Sequence, residues 1–132
     1  MKTTITINPT QQLINQALRL TNQIQNPSSR AEALREIASA MAKAGQFDQA
    51  LRLANQIQYP SDRALALAGI ASAMAKAGLN PTPVLDQALR LANQIQYPFS
   101  RALALAGIAS AMAKAGQFDQ ALRLANQIQY PS

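Results

Sequence analysis

Histidine and cysteine are absent from this chain of 132 residues, so imidazole and thiolate chemistry and the commonest transition-metal ligands are excluded at the outset. The carboxylates left for acid–base work are Glu32, Glu36, Asp48, Asp62, Asp86 and Asp119. Asp48, Asp86 and Asp119 each stand directly before a Gln-Ala-Leu-Arg-Leu segment, so they occupy equivalent places in successive repeats. One repeat apart is too far for an acid–base pair, and a negative charge in the first turn of a helix, where it suits the dipole, accounts for all three. No enzyme activity, cofactor or metal is expected.

The cations outnumber the acids, 12 Lys+Arg against 6 Asp+Glu, for a net charge of +6. That balance steers a protein toward anionic surfaces, acidic proteins or nucleic acid, and it also keeps an alanine-rich array soluble. A hydrophobic fraction of 48% is enough for a packed core. No stretch approaches a membrane span of about 18 apolar residues. Met1-Lys2-Thr3-Thr4-Ile5-Thr6 lacks the apolar core of a signal peptide, so a cytoplasmic location is expected.

The elements that must position these residues are fixed by repetition. Gln-Ala-Leu-Arg-Leu begins at Gln16, Gln49, Gln87 and Gln120, giving spacings of 33, 38 and 33. The longer step comes from additional residues within Leu79–Val84, in a connecting loop. A fixed period of this length marks a stacked array. Leu34, Ile37, Ala38 and Met41 are spaced as one buried helical stripe, repeated at Leu67, Ile70, Ala71, Met74 and at Leu105, Ile108, Ala109, Met112. A second type of helix follows each, with Phe47, Ala50, Leu51, Ala54 and Ile57 as its first example. Glycines at 45, 78 and 116 and prolines at 27, 60 and 98 punctuate the pattern.

The reading is all-α: an α-α superhelix, or solenoid, of about seven antiparallel helices. Residues 1–8, with Thr4-Ile5-Thr6-Ile7 alternating like a short strand, form a tail or cap. A single solenoid domain spans 9–132, with a lone helix at 9–26 followed by helical pairs at about 28–60, 61–98 and 99–132. Ser28 or Ser29 is the expected cap of the second helix, Thr82 opens the helix after the long loop, and Tyr59, Tyr97 and Tyr130 close helices. Gly69 and Gly107 fall inside helices, where glycine costs about 1 kcal/mol relative to alanine, and close packing of a neighbour is one reason for them.

Leu34-x-x-Ile37-Ala38-x-x-Met41-x-x-x-Gly45-x-Phe47-Asp48-x-Ala50-x-x-x-Ala54-x-x-Ile57-x-x-Pro60 resembles a tetratricopeptide repeat, in a short 33-residue form of bacterial type. In that family helix A lines a concave groove. The resemblance therefore implies a groove lined by Arg35, Ser39 and Lys43, by Leu65, Ser72 and Lys76, and by Leu103, Ser110 and Lys114. An apolar floor with a cationic edge implies an extended or helical peptide with acidic and apolar groups. The family's clamp for a terminal carboxylate is not reproduced, because alanine and serine stand at most of its positions.

The leading expectation is a protein-interaction scaffold, as a module of a larger multidomain protein. An RNA-binding array is the alternative, since Lys43–Leu51 also resembles the turn of pentatricopeptide repeats. A further alternative is a structural array, natural or designed, whose uncapped C-terminal end pairs with another copy.

Overall fold

The structure, a computed structural model, describes residues 9–128. The strand-like stretch Thr4–Ile7 and Tyr130 lie outside the described residues. Seven α-helices follow one another: α1 (Pro9–Thr21), α2 (Pro27–Lys43), α3 (Phe47–Asn55), α4 (Pro60–Lys76), α5 (Thr82–Asn93), α6 (Pro98–Lys114) and α7 (Phe118–Gln127).

The prolines mark helix starts. Pro27, Pro60 and Pro98 are the first residues of α2, α4 and α6, where a fixed φ is already helical and the missing N–H has no partner to lose. The cap of α2 is Asn26, not Ser28 or Ser29: its side-chain oxygen accepts the backbone N–H groups of Ser28 and Ser29 at 2.9 and 3.1 Å. Tyr59 and Tyr97 hold the same place before α4 and α6 instead of closing the preceding helices. Those preceding helices stop earlier, at Asn55 and Asn93.

The residues released from α3 have a use. Ile57, in the connection 56–59, is fully buried, and the Arg63 Nε–H donates to the Ile57 carbonyl at 2.7 Å. Arg30 serves the Ile24 carbonyl at 3.2 Å and Arg101 the Ile95 carbonyl at 3.4 Å, through Nη1 in both cases. A cation in the first turn opposes the helix dipole by a few tenths of a kcal/mol to about 1. Leaving a part-buried carbonyl unpaired costs about 1–3 kcal/mol, so the arginine is favoured.

At the other end of α2, α4 and α6 the chain turns on Gly45, Gly78 and Gly116, with φ of 85°, 81° and 81°. The following residue donates back to a methionine carbonyl, as Gln46 does to Met41 at 2.9 Å, which closes a Schellman turn. The inserted loop lengthens α5 at its start. Pro81 is the cap, Thr82 and Pro83 begin the helix, and α5 has 12 residues where α3 has 9. Asp86 consequently lies beyond the first turn, unlike Asp48 and Asp119.

Short connections reverse the chain between neighbours. α2, α4 and α6 pack side by side as one layer. α3 lies against α2 and α4, α5 against α4 and α6, α7 against α6, and α1 against α2. Each helix touches only such neighbours, which makes the molecule a helical repeat array. Leu67, Ile70, Leu85 and Ile108 join Ile57 as the largest fully buried side chains, and alanines fill the space between helices. Leu65, which has no core role in the repeat pattern, packs on α6: a Cβ placed on Gly107 would lie 2.7 Å from Leu65 Cδ2. Gly69 faces Ser39 of α2, where a Cβ would meet Oγ at 3.4 Å. Among the described residues no helix is long and apolar enough to cross a membrane.

Candidate functional site

α2, α4 and α6 are parallel members of one layer, so each ends on the same side of the molecule with a lysine in its last turn: Lys43, Lys76 and Lys114. One cavity of about 490 Å³ gathers all three, together with Ser39 and Ser72 and the half-buried ring of Phe47. No carboxylate lines it. A second hollow of about 380 Å³ shares Ser39 and Gly69 with the first and adds Arg35, Glu36 and Leu65. The two together run along the α2–α4 seam.

The electrostatics differ along this groove. The lysines make none of the ion pairs found among the described residues. They do stand at three helix C-termini, whose partial negative charges each take up part of a lysine's field. At the other end Arg35 is engaged: its Nη1 meets Asp62 Oδ1 of α4 at 3.3 Å, in a part-buried pair. Burial raises the Asp62 carboxyl above its usual value, with Arg35 pulling the other way and Glu32 adding to the rise. The free positive charge therefore sits at the lysine end.

Of the residues that the repeat pattern points to, Arg35, Ser39, Lys43, Leu65, Ser72, Lys76 and Lys114 line these two hollows. Leu103 and Ser110 line neither: among the described residues no further helix of the α2–α4–α6 layer packs against α6 to form an opposite wall. Phe47 belongs to the groove as well as to the core edge, which its place in the helical stripe does not reveal. Gly69 is a wall of both hollows, and a glycine inside a helix was the signal for it.

The remaining repeated polar residues link repeats. Gln87 Nε2 donates to Asn55 Oδ1 at 3.1 Å on the exposed surface. Gln117 Nε2 donates to Thr82 Oγ1 at 3.2 Å, tying the inserted loop to the last turn. Tyr59 borders a small hollow with Pro27, Ala31 and Leu34 of the preceding repeat, whereas Tyr97 is 78% exposed.

No family model matches the chain, and no curated protein does. Among solved structures, the crystal structure of Ton1535 from Thermococcus onnurineus NA1 is similar, with a TM-score of 0.62 and 22% sequence identity. The likeness covers 90% of this chain and 39% of that one, so the chain spans well under half of that protein's length. What the two share is the helical repeat fold.

Proposed function

We propose that this chain is a protein-interaction scaffold that holds a peptide with acidic and apolar groups in the groove along α2, α4 and α6. The observation that carries this reading is the convergence of Lys43, Lys76 and Lys114 on one cavity without a carboxylate. Phe47 and the alanine floor offer apolar contact beside the cations, and Ser39 and Ser72 offer hydroxyl partners. A cavity of about 490 Å³ falls in the range that takes a few side chains of a bound segment. Charge at an exposed rim sets association rate and partner choice more than affinity.

The test is a pull-down from nuclease-treated extract with the wild type and a chain carrying Lys43→Glu, Lys76→Glu and Lys114→Glu together. Proteins retained by the wild type and lost by the folded triple variant support the groove. Equal retention moves binding to another face. Material that is captured only when nuclease is omitted, with affinity falling steeply in salt, replaces the scaffold with a nucleic-acid-binding array.

A further inference from the structure

Arg30–Lys43, Arg63–Lys76 and Arg101–Lys114 are the same sequence three times apart from three positions. The second and third are identical, and the first has Glu32, Arg35 and Glu36 where the others have leucine, alanine and glycine. Rows of repeated residues follow from copying alone, so the departures are the informative places. All three are charges. Arg35 and Glu36 line the hollow of about 380 Å³ at the end of the groove away from the lysines. Arg35 is engaged with Asp62 of α4 at 3.3 Å, whereas Glu36 makes no ion pair among the described residues. Glu36 is exposed and has no cation three or four residues away on α2. It stands four residues from Glu32, where like charges oppose a helix, so its charge does not serve the helix that carries it. α4 has Gly69 at the equivalent place, a wall of the same hollow, which leaves room beside the carboxylate.

We propose that the groove selects a peptide segment bearing two opposite charges: an acidic group held at Lys43, Lys76 and Lys114, and a lysine or arginine held at Glu36. This rests on the groove reading above and adds to it a cation and a spacing. Glu36, Ser39 and Lys43 lie on one stripe of α2, and the seven residues from first to last rise about 10 Å. An extended segment covers that distance in about three residues and a helical one in about seven. The wall between the two sites is built of Ser39, Gly69 and Ser72, small residues that let the segment's backbone come close. A uniformly acidic segment, which the lysines alone would accept, meets like charge at Glu36 and is discriminated against.

The test is selection from a display library of random dodecapeptides on the intact chain at physiological salt, with the bound sequences read. Peptides held by the wild type are expected to be enriched in aspartate or glutamate. A lysine or arginine at one of the two spacings should be enriched by about threefold, the size of a single exposed ion pair. The spacing found reads the conformation of the bound segment. Glu36→Gln returns that cation to its frequency in the unselected library and keeps the acidic residue, and Glu36→Lys puts a further acid in the cation's place. The chain carrying the three lysine-to-glutamate changes loses the acidic preference. Acidic peptides without a cation at either spacing, selected alike by the wild type and the Glu36→Gln chain, overturn this proposal and leave the groove standing. Selection by the wild type that shows no charge preference, or that the folded triple variant reproduces, overturns the groove and this proposal with it.

Discussion

The pair α4–α5 and the pair α6–α7 are written in nearly the same residues and live in different surroundings. Ala68 is buried and its equivalent Ala106 is exposed; Leu65 packs on a glycine and Leu103 faces outward. The residue alone does not decide its burial in such an array. Each helical pair contributes its own packing plus the interface with the next pair, so identical words have different energetic weight in the middle and at the end.

The largest expected effect tests that weighting directly. Leu67→Ala empties a fully buried site between helices and is expected to cost about 2–5 kcal/mol in urea unfolding. Leu51→Ala, at a half-buried position under α4, costs less than that but still shifts the midpoint. Leu122→Ala, the same residue of the same helical sequence at the open end, changes stability by no more than about 0.5 kcal/mol. Equal effects of Leu51→Ala and Leu122→Ala would mean that α4 does not protect the outer face of α3, and the comparison fails.

The arginines sharpen it next. Arg63 in the middle holds its carbonyl at 2.7 Å, and Arg101 near the end holds its own at 3.4 Å. Arg63→Ala is expected to lose about 1.5–3 kcal/mol, as for a hydrogen bond to a charged donor, and Arg101→Ala distinctly less. Arg63→Met, which keeps the apolar stem, separates the bond from the packing. Thermal unfolding of the three variants against the wild type checks the order.

These arginines also show where sequence reading stops. The seven helices, their stacking and the lysine row were legible, because stripe spacing and repetition depend only on neighbours along the chain. The partner of Arg63 was not, since a loop carbonyl six residues back carries no side-chain signature. Helix starts were misplaced for a related reason: proline both ends and begins helices, and only the position of Ile57 in the core settles which applies at Pro60. Ser39, Lys43 and Lys76, which the repeat pattern aligns, line one hollow. Ser110 and Leu103 fell outside it because a wall needs a following helix, a fact about neighbours in space.

The two internal glycines give a smaller effect with opposite expectations. Glycine inside a helix costs about 1 kcal/mol relative to alanine, so Gly69→Ala, with ordinary contact to Ser39 at 3.4 Å, is expected to stabilise by up to about that amount. Gly107→Ala meets Leu65 Cδ2 at 2.7 Å, and displacing that flexible methyl consumes most of the gain. In a Leu65→Ala background Gly107→Ala regains its full benefit. A double-mutant cycle reads the difference as coupling between the two residues; a coupling of zero would show that α4 and α6 do not meet there.

The smallest effect concerns Asp62, whose partner Arg35 exists only at this seam: Ala68 and Ala106 stand in the arginine's place in the later repeats. Burial holds the Asp62 pKa above its ordinary 3.8, outweighing the Arg35 charge, and Glu32 contributes in the same sense. The folded state therefore binds the Asp62 proton more tightly than the unfolded chain does. As pH falls from neutral through the raised pKa toward 3.8, this residue's share of stability rises, and as pH climbs back through the same window that share is lost. Asp62→Asn removes the dependence, so the difference in melting temperature between wild type and variant should shift in favour of the wild type on acidification. Arg35→Met removes the stabilising cation and moves the window to higher pH, which carboxyl-carbon titration by NMR reads directly. A wild type that loses stability relative to Asp62→Asn as the pH drops through this range would show instead that Arg35 governs the carboxylate, and that the seam is held by charge more than by the packing around it.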